Sequence, residues 1–222
     1  MVGESFSSFV TSWNDTPRIF MLKRFFDVSF ALVGLILLSP FLVAISIAIK
    51  LTSLGPVFYR GVRVGRDGRL FRILKFRTMV LDAEASSVTS TTNDDPRITN
   101  LGHLLRKGKL DELPQLINIL TGDMSFVGPR PQVEWDVANY TPEERLLLSV
   151  RPGITDYASI RFHNEGEILK GHSDPDRAYV ELIRPEKMRL ALEYVRTQTF
   201  FLDLKIIGLT FMTLFRTRMG LT

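Results

Sequence analysis

One run in this chain is too apolar and too long to ignore in any account of its fold. From Val28 to Ile49 the sequence reads "VSFALVGLILLSPFLVAISIAI", 22 residues without a charge. At about 1.5 Å per residue, a straight helix of that length would reach across a hydrocarbon layer of roughly 30 Å. The run begins late and no small-residue cleavage site follows it, which argues against a removable signal peptide. Ser39-Pro40 stands near its middle. There proline removes one backbone donor and crowds the carbonyl of Ile36, so a kink is expected, and the Ser39 hydroxyl can satisfy a freed carbonyl. Arg18, Lys23 and Arg24 precede the run, and Lys50, Arg60 and Arg63 follow it. Basic flanks favour the cytoplasmic side, and here both ends ask for it. A re-entrant helix bent at Ser39-Pro40 meets both demands; a kinked transmembrane helix is the alternative.

The rest of the chain reads as a small α/β domain, richer in helix than in strand. Val57–Val64 and Leu70–Phe76 are strand-like and Asp67-Gly68 is a hairpin turn. The stretch Arg60–Arg77 carries seven basic residues against one acid, Asp67; a plain solvated hairpin face accounts for most of these arginines, and the pattern also suits anionic lipid head groups and phosphates. A nucleic-acid surface would also be basic, but this one directly follows a membrane segment. Residues 81–99 are polar and read as a loop or lid. Helices are expected over Leu101–Leu105, from Leu110 toward Leu120, and over 185–198. The last places Met188, Ala191, Leu192 and Val195 on one face. "TPEERLLL" offers Thr141 and Glu144 as a capping box. At the C-terminus Asp203 and Lys205 interrupt an apolar stretch, leaving Ile206–Phe215 uncharged and too short to cross. That helix is either interfacial or a core helix. Phe6, Phe9, Val10 and Trp13 have helical spacing and hint at a further surface helix. The expected division is an N-terminal segment (1–20), the re-entrant helix (21–54) and a catalytic domain (55–222).

There is no cysteine, which excludes disulfides, thiolate metal sites and a cysteine nucleophile. His103, His163 and His172 lack metal-ligand spacing, and no glycine-rich nucleotide motif is present. Chemistry concentrates instead in residues 97–132. "KLDELPQL" sets Asp111 beside Glu112, ahead of Pro114. On a helix, neighbours point about 100° apart, so the two carboxylates would serve different partners around one site. Arg106 lies upstream, and Arg130 is held between Pro129 and Pro131 in "GPRP". Carboxylates, a divalent ion and clamped guanidinium groups form a phosphoryl-transfer set. Acids at a helix start and a plain proline turn would leave the same marks.

"LKRFFDVSFALVGLILLSPF", "GPVFYRGVRVGRDGRLFRILKFRTM", "DPRITNLGHLLRKGKLDELPQLINILTGDMSFVGPRPQ" and "RPGIT" occur in an order that resembles the bacterial sugar transferase family, the monotopic polyprenyl-phosphate phosphoglycosyl transferases. The resemblance covers about Leu22 to Thr210, and "LDELPQ…GDMSFVGPRP" is its most specific part. It implies transfer of a sugar 1-phosphate from a UDP-sugar to polyprenyl (undecaprenyl) phosphate with release of UMP. Asp111 would be the nucleophile that forms a covalent phosphosugar intermediate, and Glu112 would help to hold Mg²⁺. Arg106 and Arg130 would bind phosphate, with Lys75 and Arg97 as further substrate-side residues. Ser39-Pro40 matches the family's helix break. The implied place is the bacterial inner membrane, with the catalytic domain facing the cytoplasm and no nucleic-acid partner; a homodimer is left open. The alternatives are a glycosyltransferase that releases UDP and a non-catalytic membrane scaffold. The chain resembles the minimal catalytic form of the family.

Two stretches depart from the family pattern. Gly108-Lys109 precedes the dyad where a Thr-Ser or Ala-Ser pair is common, and residues 156–169 read "DYASIRFHNEGEIL". The second departure lies where nucleotide or sugar contacts are expected.

Overall fold

The computed structural model describes residues 17–85 and 90–219. Phe6, Phe9, Val10 and Trp13 lie outside these residues. The chain opens with helix α1, Pro17–Thr52, 36 residues that run helically through Pro40. The Ser39 hydroxyl donates to the Ile36 carbonyl at 2.8 Å, the acceptor that Pro40 cannot serve. Along one side, Ala31, Ile45 and Ile49 are buried against the remainder of the protein. Phe25, Leu37 and Leu51 are 72%, 73% and 82% exposed.

A hairpin follows. β1 (Phe58–Tyr59) pairs with β4 (Lys75–Phe76), and β2 (Val62–Val64) pairs with β3 (Leu70–Arg72), all antiparallel. At the turn Asp67 and Gly68 both have positive φ, 57° and 76°, as a tight hairpin of this hand requires. The expected continuous strands are instead divided into two short pairs. They meet where Ile73 donates to the Gly61 carbonyl at 2.9 Å, and a Cβ at Gly61 would collide with the Tyr59 ring.

Next come α2 (Asn100–Lys107) and α3 (Gln115–Thr121). The helix expected from Leu110 therefore starts later. Lys109 takes a left-handed conformation (φ 54°), Leu110–Glu112 form one 3₁₀ turn, and α3 begins only after Pro114. β5 (Ser125–Val127) and β6 (Gly153–Thr155) pair in parallel, with α4 (Glu134–Ala138) between them in sequence. Their backbones approach so closely that a Cβ on Gly153 would lie 2.1 Å from the Gly128 nitrogen. This contact joins "VGPRP" to "RPGIT" and demands glycine at both places. The capping box forms as expected: Thr141 N–H donates to Glu144 at 2.8 Å, and Glu144 N–H to the Thr141 hydroxyl at 3.2 Å. The turns that follow are 3₁₀.

α5 (Tyr157–Arg161), α6 (Glu165–Ile168) and α7 (Pro175–Ala178) are short. α8 (Arg184–Thr197) buries Met188, Ala191, Leu192 and Val195, the expected face, together with Tyr194. They pack on Val127, Leu147 and Ile206 to make the main core. α9 (Phe200–Met219) is buried on one side and exposed on the other: Asp203 and Ile206 are buried, while Phe201, Phe211 and Phe215 are 81%, 69% and 62% exposed.

The two ends of α1 are tied to the same folded body. Near the N-terminal end, Lys23 donates to the Val127 carbonyl at 3.1 Å and pairs with Asp203. Arg24 donates to the carbonyls of Ile119 and Leu120 at 2.6 and 3.1 Å, and Asp27 accepts from Phe126 N–H at 3.2 Å. At the other end Lys50 donates to the Gly55 carbonyl at 2.9 Å, and Arg77 to the Ser53 hydroxyl at 2.6 Å. Asp203, which interrupted the C-terminal apolar stretch, also accepts from the Tyr194 hydroxyl at 2.7 Å. Removing Lys23 would leave that carboxylate buried without its cation. Lys23→Met is therefore expected to lower stability by about 3 kcal/mol, seen as a fall of the thermal midpoint in detergent, whereas Lys23→Arg keeps most of it.

Candidate active site

Local backbone choices aim the charged residues at one place. Thr99 caps α2 by accepting from Gly102 N–H at 3.0 Å, and α2 carries Arg106 in its last turn. After Gly108, the left-handed Lys109 reverses the chain into the 3₁₀ turn that bears Asp111 and Glu112. With about three residues per turn, neighbouring side chains there diverge by some 120°, so the dyad splits. Lys75 arrives from β4, and Arg130 from the proline-flanked loop after β5.

Glu112 is the hub. Its Oε1 accepts from Lys75 Nζ at 2.8 Å and from Arg130 Nη2 at 2.6 Å. Arg130 also donates through Nη1 to the Ile154 carbonyl at 2.6 Å, so its fork is fixed on both prongs. Burial alone would raise the Glu112 carboxyl, but Arg130 and Lys75 outweigh it and hold the group well below the usual carboxylate range. Asp111 responds in the opposite sense. Burial, then the negative charge of Glu112, push its carboxyl up against the pull of Lys75, Arg106 and Lys109. Adjacent acids thus acquire different chemistry from their surroundings.

Asp111 is only 7% exposed, and its Oδ1 is buried without a hydrogen-bond partner among the described residues. The same holds for Arg106 Nη1 and for both polar atoms of Gln115, which is wholly buried. Gln115 lies four residues after Asp111, at the start of α3. Such groups call for an explanation, and a ligand-binding role is one of them.

A cleft of about 1370 Å³ opens on this cluster. Lys75, Arg106, Lys109, Glu112 and Arg130 line its charged side, while Asp111 stands beside Glu112 without lining it. The stretch from Asp156 to Glu167 contributes Asp156, Ser159, His163 and Asn164. Ile207, Phe211 and Leu214 of α9 line an apolar part.

A family model described as "Bacterial sugar transferase" matches residues 18–217. The chain belongs to the bacterial sugar transferase family. It is 40% identical over 197 residues to the UDP-glucose:undecaprenyl-phosphate glucose-1-phosphate transferase of Escherichia coli strain K12, an alignment covering 86% of this chain and 39% of that one. The protein of the same name from Caulobacter vibrioides is 37% identical over 196 residues, 86% of this chain and 69% of the relative. The exopolysaccharide production protein PSS of Rhizobium leguminosarum bv. phaseoli is 37% identical over 198 residues, 84% of this chain and 92% of the relative. The chain therefore spans well under half the length of the Escherichia coli relative.

The structure brings together Asp111, Glu112, Lys75, Arg106 and Arg130. Arg97 is placed otherwise. Its Nε and Nη2 donate to Asp95 at 3.0 and 2.7 Å and its Nη1 to the Ala83 carbonyl at 3.1 Å, bracing the loop before α2 rather than lining the cleft. Ser39 and Pro40 lie in α1 and do not line the cleft. Two residues carried no assigned role in the sequence. Gln115 was visible only as the last letter of "LDELPQ". Asp156, 1% exposed, accepts from Ser159 N–H at 2.6 Å, and burial raises its carboxyl despite that bond and the nearby Arg130. It begins the 156–169 stretch, which the fold indeed sets along the cleft.

No group of three His, Asp or Glu suited to a metal occurs among the described residues. Mg²⁺ commonly takes only one or two carboxylates and completes its shell with substrate phosphates and water. Glu112, whose two cations both sit on Oε1, and Asp111, with its unpaired Oδ1, meet that modest requirement.

Proposed function

We propose that this chain transfers a sugar 1-phosphate from a UDP-sugar to a polyprenyl phosphate, releasing UMP, by way of a phosphosugar held on Asp111. The observation that carries the reading is the buried, unpaired Asp111 Oδ1 beside a Glu112 already neutralised by Lys75 and Arg130. A carboxylate with a raised pKa and no hydrogen bond to lose is a better nucleophile than its paired neighbour. The donor diphosphate lies in the cleft with its charge met by Arg106, Arg130 and Lys75. Asp111, which does not line the cleft at rest, turns into it by rotation about its own side chain. Its oxygen forms a bond to the sugar-bearing phosphorus as the bond to the UMP oxygen breaks. The acceptor's phosphate oxygen then attacks the same phosphorus and Asp111 leaves as carboxylate. Mg²⁺, held by Glu112 and the donor's phosphates, would supply further charge neutralisation.

The cleft's mixed lining supports an amphiphilic acceptor. Lys75, Arg106 and Arg130 line the cleft together with the apolar side chains of Ile207, Phe211 and Leu214 from α9. The membrane placement rests on α1, a helix with an 18-residue stretch of mean hydropathy 2.7 and an uncovered apolar face. Both of its ends bind one folded body, which favours entry and exit on a single side over a span, with the catalytic domain in the cytoplasm, where UDP-sugars dissolve. The relatives' names make UDP-glucose the first donor to try. With undecaprenyl phosphate and Mg²⁺, a panel of UDP-sugars is expected to yield UMP for the true donor. UDP as the nucleotide product would overturn the phosphoryl step and favour simple glycosyl transfer.

A further inference from the structure

Away from the cleft, three guanidinium groups gather at the N-terminal end of α1. The guanidinium carbons of Arg66, from the hairpin turn, and Arg151, from the segment before β6, each lie 5.0 Å from the centre of the Phe20 ring. Arg24, one turn along α1, is committed to the Ile119 and Leu120 carbonyls, and Arg151 donates its Nε to the Gly122 carbonyl at 2.9 Å. Arg66 Nε makes no hydrogen bond among the described residues, and its ion-pair partner Asp67, at 3.4 Å, is largely exposed. The other nearby acid, Asp27, is occupied by Phe126 N–H. Burial, then the charges of Arg24 and Arg66, lower the pKa of Arg151, so the cluster carries repulsion that an anion would relieve. None of Phe20, Arg24, Arg66 or Arg151 lines the catalytic cleft.

We propose that Arg66 and Arg151, flanking Phe20, form a binding site for the phosphodiester of an anionic membrane phospholipid. Phe20 stands eight residues before the apolar run, beside Met21 and Phe25, which are 69% and 72% exposed. That puts the site where α1 passes from protein to bilayer surface. Planar guanidinium forks match phosphate oxygens, an aromatic ring suits the interfacial layer, and the anionic leaflet supplies the ligand at high local concentration. The lipid would hold the hairpin tip and the start of α1 against the membrane without touching the reacting groups. The inference rests on the membrane placement of α1 and not on the transfer chemistry.

The test uses the full chain in a neutral detergent, titrated with dioctanoyl phosphatidylglycerol, dioctanoyl phosphatidylcholine or inorganic phosphate, with bound ligand counted by native mass spectrometry. The native chain is expected to retain one phosphatidylglycerol in preference to phosphatidylcholine. Arg66→Gln should weaken that binding about fivefold or more. Arg66→Lys, which keeps the charge but not the fork, should fail to restore it, and Arg69→Gln on the same hairpin should leave it intact. Thermal midpoints of the variants confirm that each is folded. Equal losses for Arg66→Gln and Arg69→Gln, with Arg66→Lys normal, would mean a diffuse surface potential and overturn the site. Equal retention of both lipids would overturn it too, as would displacement of the lipid by inorganic phosphate at comparable concentration. A chain that binds neither lipid and stays monodisperse without detergent would remove the membrane placement itself.

Discussion

Asp111→Asn is expected to lower turnover by roughly 10⁴-fold or more while leaving the protein as stable as before, or more so. The amide is nearly isosteric with the carboxylate but cannot form the phosphosugar bond, so no covalent adduct should appear in the intact mass after incubation with donor. The sign of the stability change follows from the surroundings. Burial and the charge of Glu112 raise the folded-state pKa of Asp111 above its unfolded value. Its ionised form therefore opposes folding at neutral pH, and the opposition eases as pH falls through the folded pKa. A neutral amide removes that cost. Active residues held at the expense of stability commonly behave in this way. Turnover within tenfold of the native chain, or a mass adduct that persists, would sink the nucleophile assignment.

The second large effect is expected at Arg130. Its two prongs serve Glu112 and the Ile154 carbonyl, at 2.6 Å each, so the side chain joins the dyad to β6. Arg130→Ala should cut kcat by about 10²–10³-fold, because it removes donor-phosphate charge stabilisation and leaves Glu112 with Lys75 as its one remaining ion-pair partner among the described residues. Arg130→Lys is expected to recover only a small part. One ammonium group cannot reproduce two fixed, divergent donors, and Lys brings a different reach. Full kcat in the lysine variant would show that only a charge is needed there and that the proline-flanked fork has no catalytic value.

Much of the candidate site was legible in the sequence. Asp111, Glu112, Arg106, Arg130 and Lys75 fall in short motifs, and their convergence accords with the family resemblance. The hairpin turn at Asp67-Gly68, the capping box at Thr141 and Glu144, and the buried face of α8 were legible for a different reason. Each depends on residues no more than a few positions apart, where backbone geometry alone relates side chain to side chain. The charged residues bordering the apolar run were read less completely. As sequence, Lys23 and Arg24 are orientation signals for a membrane. In the fold Lys23 binds Asp203, 180 residues away, and Arg24 binds carbonyls at the end of the helix that follows the dyad. Arg97 shows the converse: a motif arginine that could have faced phosphate instead braces its own loop through Asp95.

By itself the sequence determined the apolar helix with its Ser39-Pro40 junction, the hairpin, and the adjacency of the two acids, because period, turn chemistry and covalent order are local properties. Only the tertiary structure decided that these acids differ. Lys75 and Arg130 reach Glu112 across 37 and 18 residues. Their charges and the burial of Asp111 send two neighbouring carboxyl groups in opposite directions. Electric fields and desolvation depend on distance in space. No spacing along the chain encodes which of two adjacent acids will be buried without a partner.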